Sequence, residues 1–195
     1  MIRFLDILLS GAFLFLLSPL FLILYFLIYM SSKGKGIFTQ ARIGKGGVKF
    51  ELYKFRTMRQ DADRQGLITI GGKDPRITRI GFYLRKYKLD ELPQLWNVLI
   101  GDMSFVGPRP EVEKYTKLYN EEQKKVLSVR PGITDWASIR YMDENKILGK
   151  SKNPEKAYVE QIMPDKIRYN MIWIDHQGVI EYFKIIFYTF IKLFR

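Results

Sequence analysis

The sequence predicts an α+β chain that is mainly helical, with a membrane-inserting N-terminal segment, a small β-hairpin and an amphipathic helix at the C-terminus. Three observations carry this prediction: an uncharged apolar stretch over 7–30, two β-rich runs joined by glycines within 37–56, and helical periodicity with basic residues over 180–195. The residues between these features are numerous enough to build one core of ordinary domain size.

The apolar stretch 7–30 predicts contact with a bilayer, because it contains no charged residue. As one straight helix it would reach about 36 Å, enough to cross a hydrocarbon layer of roughly 30 Å. Ser18-Pro19 divides it into two halves, and a break there is chemically supported because Pro19 removes a backbone N–H and Ser18 can bond a freed carbonyl. Both a spanning helix and a re-entrant hairpin fit these residues, since basic residues flank the stretch on both sides.

Residues 37–56 predict a β-hairpin, because two runs rich in β-branched and aromatic residues flank the turn at 44–47. The glycine-rich and polar composition of 59–78 predicts a loop. Helical segments are predicted at 79–100, at 111–128, and at 154–163 with Asn153 as cap and Pro164 as stop.

The C-terminal stretch 180–195 predicts an amphipathic helix. Its polar positions recur every three or four residues, at Glu181, Lys184, Tyr188, Lys192 and Arg195. Its apolar face consists of Phe183, Ile186, Phe187, Phe190, Ile191 and Phe194. The combination of aromatic residues and lysines favours a helix that lies in a membrane interface, with packing against the protein's own core as the alternative.

Composition excludes several classes of site. The absence of cysteine excludes disulfides, thiolate zinc sites, iron–sulfur clusters and cysteine nucleophiles, and the single histidine, His176, argues against a histidine triad. The net charge of +12 indicates an anionic partner, for which nucleic acid and anionic lipid both qualify on composition alone.

The adjacent acids Asp90-Glu91 are the main candidates for chemistry. They follow a strongly basic stretch containing Lys73, Arg76, Arg79, Arg85, Lys86 and Lys88. A positive field around two carboxylates suits a phosphorylated substrate with a divalent metal, one carboxylate attacking phosphorus and the other holding Mg²⁺. The alternative is a solvated acidic pair on a helix surface, which composition alone favours.

Three motifs change this balance: YKFRTM (53–58), LDELPQLWNVLIGDMSFVGPRP (89–110) and RPGIT (130–134). With them the chain closely resembles the bacterial sugar transferase family, in particular its small monotopic phosphoglycosyl transferases. The resemblance covers nearly the whole chain. It implies that the apolar segment is a re-entrant helix broken at Ser18-Pro19.

The resemblance implies a domain order of re-entrant membrane helix (1–32), cytoplasmic catalytic domain (33–178) and interfacial helix (179–195). It also implies a location on the cytoplasmic face of the bacterial inner membrane, in contact with its lipid. The substrates would be a UDP-sugar and undecaprenyl phosphate, which leaves no need for nucleic acid to explain the charge. A homodimer stays open.

The resemblance further implies that Asp90 is the nucleophile and that Glu91 binds Mg²⁺, with Mn²⁺ as a substitute. Arg109, held between two prolines, suits a bidentate phosphate contact. The other candidate phosphate-binding residues are Arg85, Lys88, Arg56, Lys54 and Arg130. Where many relatives continue RPGIT with Gly-Trp-Ala-Gln-Val, this chain has 135–139 as Asp-Trp-Ala-Ser-Ile, so the sugar is not transferable from the family.

Overall fold

The computed structural model of the chain describes residues 1–31, 34–60, 62 and 74–193. The apolar N-terminal stretch forms two helices, α1 (Ile2–Leu16) and α2 (Ser18–Ser31), whose axes are bent by 63°. Within the described ranges no single helix has both the length and the apolar character needed to cross a bilayer; the bent pair has them only in combination.

The bend lies where the sequence predicts it. Leu17 separates the two helices, and the Ser18 hydroxyl donates a hydrogen bond of 2.8 Å to the carbonyl of Phe15. Pro19 lies in the first turn of α2, where its missing N–H removes no bond within that helix. The predicted break at Ser18-Pro19 is therefore confirmed.

The predicted hairpin is also confirmed. Strands β1 (Ile37–Ile43) and β2 (Lys49–Phe55) pair antiparallel, with Ile37 opposite Phe55. The turn needs glycine, because Gly46 and Gly47 have φ angles of +69° and +77°, in the left-handed region. The hairpin brings Lys54, near the end of β2, next to the elements that follow.

The single helix predicted over 79–100 is wrong in its continuity. The structure has α3 (Arg79–Lys86), a 3₁₀ turn over Leu89–Glu91 and α4 (Gln94–Ile100). Lys88 adopts a left-handed conformation with φ of +56°, which ends α3 and redirects the chain.

A second small sheet follows α4. It consists of two parallel strands, β3 (Ser104–Val106) and β4 (Gly132–Thr134). The further helices are α5 (Glu113–Thr116), α6 (Trp136–Arg140), α7 (Glu144–Leu148), α8 (Pro154–Ala157), α9 (Met163–Asp175) and α10 (Val179–Leu193). The predicted class, mainly helical with little sheet, is confirmed.

Two of the predicted helices differ from those observed. The helix predicted over 111–128 is wrong, because only α5 and a 3₁₀ segment over Gln123–Ser128 form there. Pro164 does not end the helix that Asn153 caps: a π-helical turn over Tyr158–Ile162 leads into α9, and Pro164 lies in its first turn. Pro164 comes just after the π-helical turn, where the pattern of backbone hydrogen bonds changes from that of an α-helix.

Polar contacts attach α1 to the rest of the fold. Asp6 is 1% exposed, and its Oδ1 accepts hydrogen bonds from the Ser104 hydroxyl (3.0 Å), the Phe105 N–H (3.1 Å) and the Tyr182 hydroxyl (2.9 Å). Arg3 donates to two carbonyls at the end of α4, at 2.6 and 2.8 Å. One buried carboxylate therefore joins α1, β3 and α10.

Helix α10 divides its apolar residues between two environments. Tyr182 and Ile185 are fully buried in the core, whereas Phe183, Phe187 and Phe190 are exposed. The helix thus packs on the domain and presents a second apolar face outward. The residues Lys73, Phe194 and Arg195, and most of the loop predicted over 59–78, lie outside the described residues.

Candidate active site

The two acidic residues predicted to carry the chemistry lie on the 3₁₀ turn between α3 and α4. Asp90 is buried, with 8% of its surface exposed, and its Oδ1 atom is buried without a hydrogen-bond partner among the described residues. An unpaired buried carboxylate oxygen is costly, which makes this atom the prominent feature of the turn.

Glu91, by contrast, is held by two cations. The guanidinium of Arg109 binds it in bidentate fashion, with Nη1 at 3.1 Å from Oε2 and Nη2 on Oε1. Lys54 Nζ lies 3.4 Å from Oε1. Arg109 comes from the segment after β3 and Lys54 from β2, so the fold brings two of the predicted phosphate-binding residues to this carboxylate.

The two neighbouring carboxyl groups have pKa values shifted in opposite directions. Burial, followed by the charge of Glu91, raises the pKa of Asp90 against the opposing effects of Lys54, Lys88 and Arg85. Burial alone would raise the pKa of Glu91 as well, but Arg109 and Lys54 outweigh it and hold that pKa well below its usual range. Such a separation of two adjacent acids indicates different chemical roles.

Burial also affects the lysine. It lowers the pKa of Lys54 to about 8, although the charge of Glu91 acts in the opposite direction. The pKa of Arg109 is raised, mainly by the charge of Glu91. At neutral pH both side chains therefore carry positive charge beside the acidic pair.

The remaining predicted cations are placed less directly. Exposed Lys88 and half-buried Arg85 act on Asp90 through their charge. Arg56 packs beneath Gly34, and Arg130 donates from Nε to the Gly101 carbonyl at 2.8 Å. In the described part of the chain, neither Arg56 nor Arg130 forms an ion pair with the two acids.

Sequence reasoning missed two side chains beside Arg109. Arg42 on β1 donates to the carbonyl of Pro110 at 3.1 Å, and its pKa is lowered, chiefly by burial. Asp135 is fully buried, and its Oδ2 accepts a hydrogen bond of 3.1 Å from the backbone N–H of Arg109. No sequence pattern around Arg42 indicates a role in the site. Asp135, by contrast, lies in the segment 135–139, where the chain departs from the family pattern.

The acidic pair fits a divalent cation that is shared with a substrate. Mg²⁺ sites of this kind use one or two carboxylates, and substrate phosphates and water complete the shell. Asp90 Oδ1 is a buried oxygen without a donor, and Glu91 Oε2 accepts one hydrogen bond, from Arg109. The described residues contain no cluster of three or more acidic, histidine or cysteine side chains that could hold a metal without a substrate.

Comparisons with known proteins place this site in a family. The model of the bacterial sugar transferases matches residues 1–195. A UDP-N-acetylgalactosamine-undecaprenyl-phosphate N-acetylgalactosaminephosphotransferase of Aeromonas hydrophila is 42% identical over 140 residues, which cover 70% of this chain and 33% of that protein. A UDP-glucose:undecaprenyl-phosphate glucose-1-phosphate transferase of Escherichia coli is 34% identical over 192 residues, covering 97% and 39%.

A third relative has nearly the same length as this chain. The exopolysaccharide production protein PSS of Rhizobium leguminosarum is 36% identical over 197 residues, which cover 97% of this chain and 93% of that protein. The chain spans only 33% and 39% of the lengths of the Aeromonas and Escherichia relatives. Because the family model matches the chain from residue 1 to residue 195, the chain belongs to the bacterial sugar transferase family.

Proposed function

We propose that this chain is a phosphoglycosyl transferase that moves a sugar 1-phosphate from a UDP-sugar to undecaprenyl phosphate. The products would be UMP and an undecaprenyl diphosphosugar, the lipid-linked start of a capsule, exopolysaccharide, O-antigen or glycoprotein glycan. The observation that carries the proposal is the buried Asp90 Oδ1 without a donor, beside a Glu91 neutralised by Arg109 and Lys54. The named relatives act on these two classes of substrate.

The reaction has two half-reactions, of which the first forms a covalent bond to the protein. Asp90 Oδ1 attacks the phosphorus that carries the sugar. The bond between that phosphorus and the oxygen bridging to the uridine-side phosphate breaks, and UMP leaves with the electron pair. A mixed anhydride of phosphosugar and aspartate remains.

In the second half-reaction, a phosphate oxygen of undecaprenyl phosphate attacks the same phosphorus. The bond to Asp90 breaks, and the carboxylate is regenerated. The raised pKa of Asp90 suits the first half-reaction, because a carboxylate that is less stabilised as an anion is the better nucleophile. In the second half-reaction the neighbouring positive charges stabilise the carboxylate as it leaves. No histidine is needed, since phosphoryl transfer depends on positioning and charge neutralisation.

Arg109 and Lys54 supply the positive charge for these steps. Two of the five N–H donors of the Arg109 guanidinium bind Glu91, which leaves three for phosphate oxygens. A bound Mg²⁺, or Mn²⁺ in its place, would be held by Glu91 and would neutralise charge on the diphosphate. Arg85 and Lys88 add to the positive field around Asp90.

We also propose a re-entrant membrane segment on the cytoplasmic face of the bacterial inner membrane. Both ends of the segment contact the same domain: Arg3 and Asp6 bind α4 and β3, and Ile28 of α2 packs in a cluster with Phe55 and Leu84. The region around the bend is strongly exposed, with Phe15 at 85% and Leu16 at 70%. Exposed apolar side chains of this kind are typical of contact with lipid.

The function is tested by UMP release from a panel of UDP-sugars: UDP-glucose, UDP-galactose, UDP-N-acetylglucosamine and UDP-N-acetylgalactosamine. Turnover of at least one donor is expected only with undecaprenyl phosphate and Mg²⁺ present, and the productive donor identifies the sugar. No turnover with any of them, in protein that is folded in detergent, would contradict the proposal.

The membrane arrangement needs a separate test. Because the chain contains no cysteine, a single introduced cysteine can be labelled specifically. A single cysteine introduced by Ile2→Cys is expected to react with a membrane-impermeant maleimide in inside-out vesicles and to stay unlabelled in intact spheroplasts. Labelling in spheroplasts would show that the segment spans the bilayer.

A further inference from the structure

The segment that carries Arg109 is fixed by unusually close backbone packing. After β3 the chain continues as Gly107-Pro108-Arg109 and runs beside β4. The Gly107 N–H donates a hydrogen bond of 3.0 Å to the Thr134 carbonyl. A Cβ atom on Gly107 would lie 2.4 Å from the Arg130 carbonyl oxygen, and one on Gly132 would lie 2.1 Å from Gly107 N. No side chain larger than hydrogen fits at either position, so the two backbones lie in direct contact.

At Arg109 the hydrogen-bond ladder changes from backbone to side chain. Pro108 has no N–H, and its carbonyl accepts from Gly132 N–H at 3.0 Å. The next donor along the segment is the Arg109 N–H, and Oδ2 of Asp135 accepts it at 3.1 Å. Asp135 directly follows Thr134, the last residue of β4, so its carboxylate extends the pairing by one residue.

The other oxygen of the same carboxylate caps a helix. Oδ1 of Asp135 accepts the N–H of Ser138, which makes Asp135 the N-cap of α6. Capping alone does not require an acid, because Ser and Asn cap about as well without bringing a charge into the interior. Asp135 is 0% exposed, and burial raises its pKa, so ionising this carboxyl works against the fold.

The contact to Arg109 gives a reason for an acid at this position. A carboxylate has two oxygens that can accept in different directions, whereas an amide has one oxygen and an NH₂ group, and a hydroxyl is shorter. Only the acid serves the α6 cap and the Arg109 N–H together. Its negative charge also adds to the field that keeps the Arg109 guanidinium charged.

We propose that Asp135 is a positioning residue, which fixes the backbone of Arg109 so that its guanidinium is held in the bidentate geometry on Glu91. Asp135 does not touch the substrate in this proposal and acts only through Arg109. The inference rests on the proposed function, because its readout is the sugar-phosphate transfer.

Two variants separate positioning from capping. Asp135→Asn keeps the shape and one acceptor oxygen for the α6 cap, but it places an NH₂ group against the Arg109 N–H. Asp135→Ser keeps a good capping hydroxyl but does not reach Arg109. Both are expected to lower kcat of UMP release about 10- to 100-fold, the effect of a misplaced catalytic group. Both should also lower thermal stability, because the Arg109 N–H loses its acceptor, so kcat of the folded protein is the deciding readout.

A matched cap serves as control. Asn153 caps α8 through the Lys156 N–H at 3.1 Å, outside the site. Asn153→Ala should lower thermal stability as the loss of a cap does, with UMP release within about twofold of the wild type. If Asp135→Asn, like Asn153→Ala, keeps UMP release within about twofold of the wild type, Asp135 is a cap only, and the positioning role is wrong.

A double-mutant cycle with Arg109→Lys tests the route of action. If Asp135 acts through Arg109, the loss in kcat for Arg109→Lys/Asp135→Asn should be clearly smaller than the product of the two single losses. A combined loss equal to that product would overturn the inference. If the wild type releases no UMP from any donor, both the proposed function and this inference are wrong. If the wild type is active and the Asp135 variants are as active as the wild type, only the inference is wrong.

Discussion

Replacing Arg109 with Lys keeps a positive charge beside Glu91 but removes the planar fork that binds both carboxylate oxygens. In the wild type Nη1 lies 3.1 Å from Oε2 while Nη2 binds Oε1. A lysine ammonium acts as a point charge and replaces these two bonds by one. A hydrogen bond to a charged group contributes about 1.5–3 kcal/mol, which corresponds to about 10- to 150-fold in rate.

Exposure reduces this expectation. The Arg109 side chain is 31% exposed, so solvent screens part of the interaction, and we expect a loss of about 10- to 30-fold in kcat/KM for the UDP-sugar. The assay is UMP release with the productive donor at saturating undecaprenyl phosphate.

The control is Arg168→Lys, a change of the same kind at an ion pair with Asp165, where the arginine side chain is 72% exposed. That variant is expected to stay within about twofold of the wild type. An Arg109→Lys variant as active as Arg168→Lys would refute the reasoning that the bidentate geometry on Glu91 contributes to catalysis.

Two other predictions concern charge and buried polar contacts. Because burial lowers the pKa of Lys54 to about 8, this side chain loses its proton as the pH rises through that value. In a pH–rate profile, UMP release by the wild type should fall above about pH 8, whereas Lys54→Arg, which stays charged, should extend the active range; identical alkaline limbs would contradict the role of Lys54. Asp6→Ala leaves three donors without their acceptor and should lower the free energy of unfolding in detergent by about 3 kcal/mol or more, whereas Asp6→Asn, which keeps an acceptor oxygen, should lose about 1 kcal/mol. Equal losses in the two Asp6 variants would show that the charge of Asp6, and not its oxygen, stabilises the contact.

The features that could be predicted from the sequence depend on neighbouring residues. Ser18-Pro19 breaks the apolar stretch because Pro19 removes a local donor, and the glycines after β1 form a turn because their φ angles are positive. Asp90 and Glu91 were recognisable because they are adjacent within a motif that resembles a known family. In each case a short window of the chain contains the whole signal.

The features that were missed depend on the tertiary fold. The interruption of the predicted helix 79–100 has one local signal, Pro93 directly before α4, but no glycine or proline marks Lys88, where the chain changes direction. The contact of Arg109 with Glu91 joins residues 18 positions apart, and that of Tyr182 with Asp6 joins residues 176 positions apart. No local pattern specifies such pairs. The roles of Arg56 and Arg130 in phosphate binding stay predictions, since the structure places Arg56 against Gly34 and Arg130 on the Gly101 carbonyl.

The most direct test of the central claim is intact-protein mass spectrometry after incubation with the productive UDP-sugar and no lipid acceptor. We predict that the wild type releases about one equivalent of UMP and gains the mass of one phosphosugar, which undecaprenyl phosphate then removes. Asp90→Asn should show neither the release nor the gain. A wild type that turns over without forming the adduct, or an Asp90→Asn variant that still forms it, would contradict the assignment of Asp90 as the nucleophile.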